Sequence, residues 1–171
     1  MASGYGFSIA HSPSHLASEV ARREKYKKMA IWVLVADNSR ARFFVAETST
    51  GPLQEIRDLL YPEARLHEGD LVTDRSGSDQ NPGAGTHGFG ADASRKEEGT
   101  DRFALQVCGQ LEAARNEGAF RKLYVVAAPH FLGLLRKHRS TSLEQTVAGE
   151  VDKNLTTQDS AAIRKHLPEH L

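Results

Sequence analysis

From residue 30 onward the chain alternates between short apolar runs and turn-forming clusters. Residues 31–36, Ile-Trp-Val-Leu-Val-Ala, form an unbroken apolar run rich in β-branched side chains, and Asp37-Asn38-Ser39 close it. Such a run, bounded by turn residues, reads as a strand buried on both faces. Residues 41–46 form a second run, ended by Thr48-Ser49-Thr50-Gly51. Residues 53–60 form a third, in which Leu53, Glu55, Arg57 and Leu59 alternate with Gln54, Ile56 and Asp58. Short turns between consecutive strands predict an antiparallel meander with the first strand central.

After a long segment beginning at Tyr61 the period changes. Ser94-x-x-Glu97 has capping-box spacing, and Phe103, Ala104, Leu105, Val107, Cys108 and Leu111 recur at helical period until Gly118. Residues 123–128 read as a fourth strand, apolar on both faces, and Pro129 opens a helix carrying Phe131, Leu132, Leu134 and Leu135. Residues 146–151 alternate as a fifth strand. Thr157 or Asp159 caps a last helix through Ala162, Ile163 and Leu167, which Pro168 ends. The predicted order is βββ-α-β-α-β-α. Right-handed crossovers place strands four and five parallel to strand one, which gives an α/β fold with a ribonuclease H-like, mixed five-stranded sheet and helices on both faces.

The first 28 residues differ from this body. Ser3, Ser8, Ser12 and Ser14 with Gly4 and Gly6 precede a charged stretch, and no apolar run of signal-peptide length occurs. The expectation is a flexible N-terminal extension, residues 1–28, on a single domain, residues 29–171. Charge divides the same way. The whole chain has 22 Lys and Arg against 22 Asp and Glu, but residues 1–28 carry net +3 and residues 29–171 net −3. A mildly acidic body argues against a broad electropositive nucleic-acid surface and leaves local patches. The sequence contains no apolar run long enough for a transmembrane helix, so membrane insertion is not expected and the composition fits a cytoplasmic protein. One cysteine, Cys108, excludes an internal disulfide framework and a thiolate-rich zinc site.

Seven of the 14 glycines fall between residues 61 and 99, most of them in a Gly-rich loop at about 73–93. Loops of this length in a compact domain are either functional or disordered. Backbone amides of Gly83, Gly85 and Gly88, with Thr86 and His87, would suit an anion cradle, although no Gly-Lys-Ser or Gly-Lys-Thr ends the loop. Arg75, Arg95, Lys96 and Arg102 surround it and are candidate RNA contacts. His67, Glu68 and Asp70 are a candidate hard-cation set, followed by Asp74, Asp79, His87 and Asp92. No helical His-x-x-x-His or calcium-loop spacing accompanies them, and a solvated acidic loop is the simpler reading.

The remaining candidates have plainer readings beside them. Arg136-Lys137-His138-Arg139 end a helix where cations complement the dipole, and with Arg121 and Lys122 they are the alternative basic patch for phosphate. Two-metal nuclease chemistry needs converging carboxylates, yet the first strand offers none before Asp37, which reads as a turn residue. Cys108 lies on an apolar helix stripe and reads as an inert buried thiol. His87, His130 and His138 are scattered, and no Gly-x-Ser-x-Gly elbow occurs. No catalytic residue and no cofactor is assigned.

A resemblance covers nearly all of residues 29–171. Trp32-Val33-Leu34-Val35-Ala36-Asp37 with Ser39-Arg40-Ala41-Arg42, Asp74-Arg75, Arg102-Phe103-Ala104, Val126-Ala127-Ala128-Pro129 with Leu132-Gly133-Leu134-Leu135-Arg136, and Lys153-Asn154-Leu155 resemble the bacterial host-attachment protein family. That family is similar in turn to the middle domain of eukaryotic and archaeal class-1 peptide-release factors. The resemblance implies a ribonuclease H-like fold and a cytoplasmic, ribosome- or transfer-RNA-associated domain. Release factors carry Gly-Gly-Gln in a loop before the main helix, which positions the water that attacks peptidyl-tRNA. The loop here reads Gln80-Asn81-Pro82-Gly83-Ala84-Gly85-Thr86 and lacks it. Were the chain an enzyme, the resemblance implies a hydrolase of peptidyl-tRNA or of another phosphate-containing substrate. About 140 residues cannot also hold the codon-reading and GTPase-binding domains of a release factor. The family name implies a different role, a non-enzymatic protein with protein partners in host-cell attachment. A metal-dependent hydrolase or nuclease is the third reading.

Overall fold

The computed structural model describes residues 30–61 and 88–171, with the backbone alone for 88–92. β1 (Ile31–Ala36) and β4 (Lys122–Ala127) pair in parallel, from Ile31 opposite Lys122 to Ala36 opposite Ala127. Every residue of the two strands is buried except the partly buried Trp32 and Lys122. Their near-continuous apolar sequence is what a strand covered on both sides requires. β2 (Arg40–Ala46) and β3 (Gln54–Leu60) extend the sheet antiparallel beyond β1, and β5 (Val147–Val151) extends it in parallel beyond β4. The resulting order, β3-β2-β1-β4-β5, is the mixed five-stranded sheet expected from the sequence.

Among the described residues four helices accompany the sheet: α1 (Gly88–Asn116), α2 (Pro129–His138), α3 (Thr141–Glu144) and α4 (Ser160–Arg164). On one face, Phe103, Val107, Cys108 and Leu111 of α1 and Phe131, Leu132 and Leu135 of α2 pack on Leu34, Phe43, Leu123 and Val125. On the other, Leu155, Ile163, Leu167 and Leu171 of the C-terminal segment cover Ile31, Val33, Val35, Phe44 and Val126. Helices thus lie on both faces, but the second is closed by a five-residue helix and its flanking chain.

Local chemistry accounts for the ends. Pro129 takes the first position of α2, where its missing N–H costs nothing, and Arg136, Lys137 and His138 fill the last turn. Ser140 caps α3 by accepting from the Leu143 N–H at 3.0 Å. Asp159, one of the two expected caps, accepts from the Ala162 N–H at 2.7 Å to start α4. Gly118, at φ 67°, ends α1 in the left-handed conformation that glycine adopts without strain.

Three expectations change. α1 begins at Gly88, so Ser94-x-x-Glu97 lies within it and residues 88–93 are helix, not loop. Helix propagation from an established segment is far easier than nucleation, so a downstream apolar stripe can carry a helix through two glycines. The strict alternation of β3 breaks as well. Phe43 opposes Arg57 and Phe44 opposes Glu55, which leaves Ile56 as the extra residue of a bulge. Arg57 therefore turns to α1, where it meets Gln110, and Glu55 turns to the opposite face, where it meets Arg42. Finally, α3 was not expected, because four residues are too few to show a helical period.

Tyr61, at the exit of β3, stacks on Phe103 with ring centroids 5.5 Å apart. A Cβ on Gly99 of α1 would run into the Tyr61 hydroxyl and crowd the ring carbons Cζ and Cε1 at 3.1 and 3.2 Å. Glycine at 99 is therefore what lets the helix and the ring share this space. Overpacking costs about 1–3 kcal/mol, against the roughly 1 kcal/mol a helix gains when alanine replaces glycine. Gly99→Ala is expected to lower stability by about 1 kcal/mol in urea denaturation, the balance of these two effects. In a Tyr61→Ala background the same substitution is expected to stabilise. Stabilisation by Gly99→Ala with Tyr61 intact would contradict this packing.

Candidate functional site at the C-terminal edge of the sheet

β1, β3, β4 and β5 all run the same way, so Asp37, Tyr61, Ala128 and Asp152 emerge at one edge. The chain leaves β1 and β4 in opposite directions across the sheet, which makes the gap between their ends the topological switch point where open α/β sheets usually bind ligands. α1 reaches this edge from outside. At about 1.5 Å per residue its 29 residues span roughly 43 Å, whereas six-residue strands span about 20 Å. Residues 93–98 are exposed, and burial of α1 begins at Gly99 and Thr100. The N-terminal part of α1 therefore projects beyond the sheet.

Two carboxylates, Glu97 and Asp101, tie the base of that projection to α2. His130 Nε2 lies 3.0 Å from Glu97, and Asp101 meets both Lys137 Nζ and His138 Nε2 at 2.8 Å. Lys137, followed by His138, holds the Asp101 carboxyl below its ordinary value. These are surface pairs that position two helices.

Asp37 is the most heavily engaged side chain at the edge. Its Oδ1 accepts from the Ser39 N–H at 2.8 Å, the Ser39 hydroxyl at 2.9 Å and the Arg40 N–H at 2.9 Å. Its Oδ2 accepts from the Thr156 hydroxyl at 2.6 Å and from Asn154 Nδ2 at 3.3 Å. Burial alone would raise its pKa, but the bonds from Thr156, Ser39 and Arg40 outweigh burial and hold it below the ordinary value. A carboxylate has about four lone-pair positions, and these donors occupy them. Asp37 is thus a latch between the β1–β2 turn and the chain after β5. It is not poised as a base or a metal ligand.

Arg42 completes the latch from β2. Its Nη1 donates to the Thr156 and Gln158 carbonyls at 3.0 and 2.6 Å, its Nε and Nη2 pair with Glu55, and its guanidinium stacks 4.9 Å from the Phe44 ring centre. The sequence shows Arg42 only as part of the Ser39-Arg40-Ala41-Arg42 segment, because the two carbonyls it holds lie more than a hundred residues away.

The sequence-nominated residues separate into groups. Arg75, Gly83, Gly85, Thr86 and His87 lie outside the described residues, as do His67, Glu68, Asp70 and the extension 1–28. Gly88 is the first residue of α1, and Arg95, Lys96 and Arg102 are exposed along it. Among the described residues no three His, Cys, Asp or Glu side chains gather closely enough to hold a metal ion. The second basic group is largely neutralised. Arg136 pairs with Glu150, Lys137 with Asp101, and Arg139, with a side chain 3% exposed, pairs with Glu144 at 2.9 Å and Glu150 at 2.7 Å. Arg121 is exposed and Lys122 partly buried at the opposite edge of the sheet, where β4 begins. Cys108 is buried, and desolvation pushes its thiol up to about 11.

The structure defines an α/β domain with an open, mixed five-stranded sheet and a long helix leaving its C-terminal edge. Among solved structures it is similar in fold to the archaeal translation termination factor aRF1, with a TM-score of 0.50 and 10% identity. The match covers 89% of this chain and 39% of that one, so the chain spans well under half of that factor's length. The family model described as "protein required for attachment to host cells" matches residues 32–167, and the chain belongs to that family. No curated protein matches it. No helix among the described residues is long and apolar enough to cross a membrane.

Two outcomes test the chemistry of this edge. A depressed carboxyl pKa contributes stability that is complete above the ordinary value and is lost as pH falls through the depressed one. Asp37→Asn is therefore expected to cost about 1.5–3 kcal/mol at pH 7 and progressively less below about pH 4. A pH-independent difference between the two proteins would contradict the latch. Cys108 is expected to react with aromatic disulfides at the rate of unfolding and not at the rate of a free thiol. Stoichiometric reaction within seconds under native conditions would contradict its burial.

Proposed function

We propose that this chain is a release-factor-like domain that associates with RNA of the translation apparatus, without autonomous peptide release. The observation that carries the reading is the projection of α1 past the sheet edge with exposed Arg95 and Lys96. A narrow helical arm carrying cations suits insertion between RNA backbones better than a flat surface would, and it needs no excess positive charge over the whole body. The fold likeness to a translation termination factor supports the same reading. Arg102 lies further along α1, on the part that packs on the sheet.

Family membership supports a second reading, a non-enzymatic contribution to attachment to host cells. The two separate by location. Surface labelling of intact cells marks a direct adhesin and leaves a ribosome-associated protein unlabelled until lysis.

Sedimentation of the native protein through ribosome gradients tests the first reading. Co-migration with ribosomal particles at low salt and release at higher salt are expected, because phosphate contacts are weakened by counterions. Arg95→Glu with Lys96→Glu is expected to weaken co-migration at least about tenfold, a loss of about 1.4 kcal/mol. Absence of the wild-type protein from every ribosomal fraction at low salt would contradict the proposal.

A further inference from the structure

The packed half of α1 has a second face. Opposite its buried stripe lie Arg102, Leu105, Gly109, Ala113 and Glu117, all exposed except that the last stands one residue beyond the helix as assigned. Glu117 still donates its N–H to the Ala113 carbonyl at 3.0 Å, so it continues the helical path. Leu105 is 54% exposed, the highest value among the exposed large apolar side chains of the described residues. A Cβ on Gly109 would meet nothing within 4 Å. Among the described residues, Arg102 and Glu117 make no ion pair, while Arg115, Arg136, Lys137 and Arg139 are all matched to carboxylates.

We infer that this face is the contact between two copies of the chain, with α1 packed antiparallel on α1 of the second copy and centred on Gly109. The argument rests on self-complementarity. In an antiparallel pair related by a two-fold axis through Gly109, Leu105 lies opposite Ala113 of the second copy. Arg102 lies opposite the Asn116–Glu117 end. A twofold contact is isologous, so each of these pairings occurs twice. Gly109 and Ala113 leave a shallow gap that admits Leu105, and small side chains at a crossing let two helix backbones approach closely. Arg102 and Glu117 stand on the same flank of the stripe, where antiparallel packing brings like flanks together, so both cations meet carboxylates. A parallel arrangement would set Arg102 beside Arg102 and lose this match. One helix face is small against the ~800 Å² per partner of a standard interface, so the dimer is a concentration-dependent one.

Sedimentation velocity of the full chain from about 10 µM to about 1 mM, the range over which weak complexes form, tests the inference. The mass is expected to rise from one chain to two. Leu105→Glu and Arg102→Glu are each expected to weaken association at least about tenfold, equivalent to 1.4 kcal/mol. Arg102→Glu combined with Glu117→Arg is expected to restore it, since the charges are exchanged and the pairing is kept. Unchanged far-ultraviolet circular dichroism establishes that each variant is folded. Gly109→Cys offers an independent readout, because two such residues at the crossing are expected to form an intermolecular disulfide under mild oxidation. A wild type that stays monomeric throughout would overturn the inference. A dimer indifferent to Arg102→Glu, or a charge exchange that fails to restore it, would do the same.

Discussion

β1 and β4 lie side by side in the sheet with both of their faces apolar, and the rest of the architecture follows from the need to cover them. Pairing two such strands removes their backbone groups from water, but each face still needs an apolar layer. α1 and α2 supply one of these with the large side chains Phe103, Leu111, Phe131 and Leu135. Among the described residues no long helix serves the other face. There the chain after β5 crosses back over the end of β4, drops Leu155 into the core, and continues through Ile163 to Leu171. Extended chain and a five-residue helix bury less apolar area per residue than a full helix does. The crossing is correspondingly held by polar contacts, from Asp37 to Thr156 and Asn154 and from Arg42 to the Thr156 and Gln158 carbonyls. The most densely hydrogen-bonded group at the sheet edge thus serves the fold, and it is the one a nuclease reading would have needed.

α1 has two parts with different duties. From Gly99 onward it is a core helix, seated by Phe103, Val107 and Leu111. Before it, residues 93–98 are exposed, and Glu97 is paired with His130 of α2. The change falls where the Tyr61 ring takes the space of a Cβ and where the Thr100 hydroxyl donates back to the Lys96 carbonyl at 2.9 Å. A threonine that bonds back in this way competes with the helix ladder and tends to bend it. The base of the arm is therefore fixed by packing, while residues 93–98 beyond it are exposed.

The sheet was largely legible in the sequence because its strands are short apolar runs separated by turn residues, and because two of them lack any polar face. Asp37-Asn38-Ser39, Pro129, Asp159 and Gly118 each acted through contacts with near neighbours and could be placed from sequence. Three features were not accessible that way. The true start of α1 depends on propagation through glycines that local preference reads as loop. The Ile56 bulge depends on register against Phe43 and Phe44. The latch depends on Asn154 and Thr156, which follow an ordinary strand end and acquire meaning when the fold returns them to Asp37. Arg139 shows the same limit, since a basic run at a helix end looks solvated until Glu144 and Glu150 close over one of its members.

α1 is one helix with a packed half and a projecting half that meet at Gly99. Residue-resolved amide hydrogen exchange tests this directly, since it reads opening free energies along a single element. Amides from about 103 to 114 are expected to exchange with the same protection as those of β1 and β4, through global unfolding. Those from about 90 to 97 are expected to exchange far sooner, through local opening, and to respond little to destabilisation of the core. Uniform protection along all of α1, equal to that of the central strands, would contradict the division.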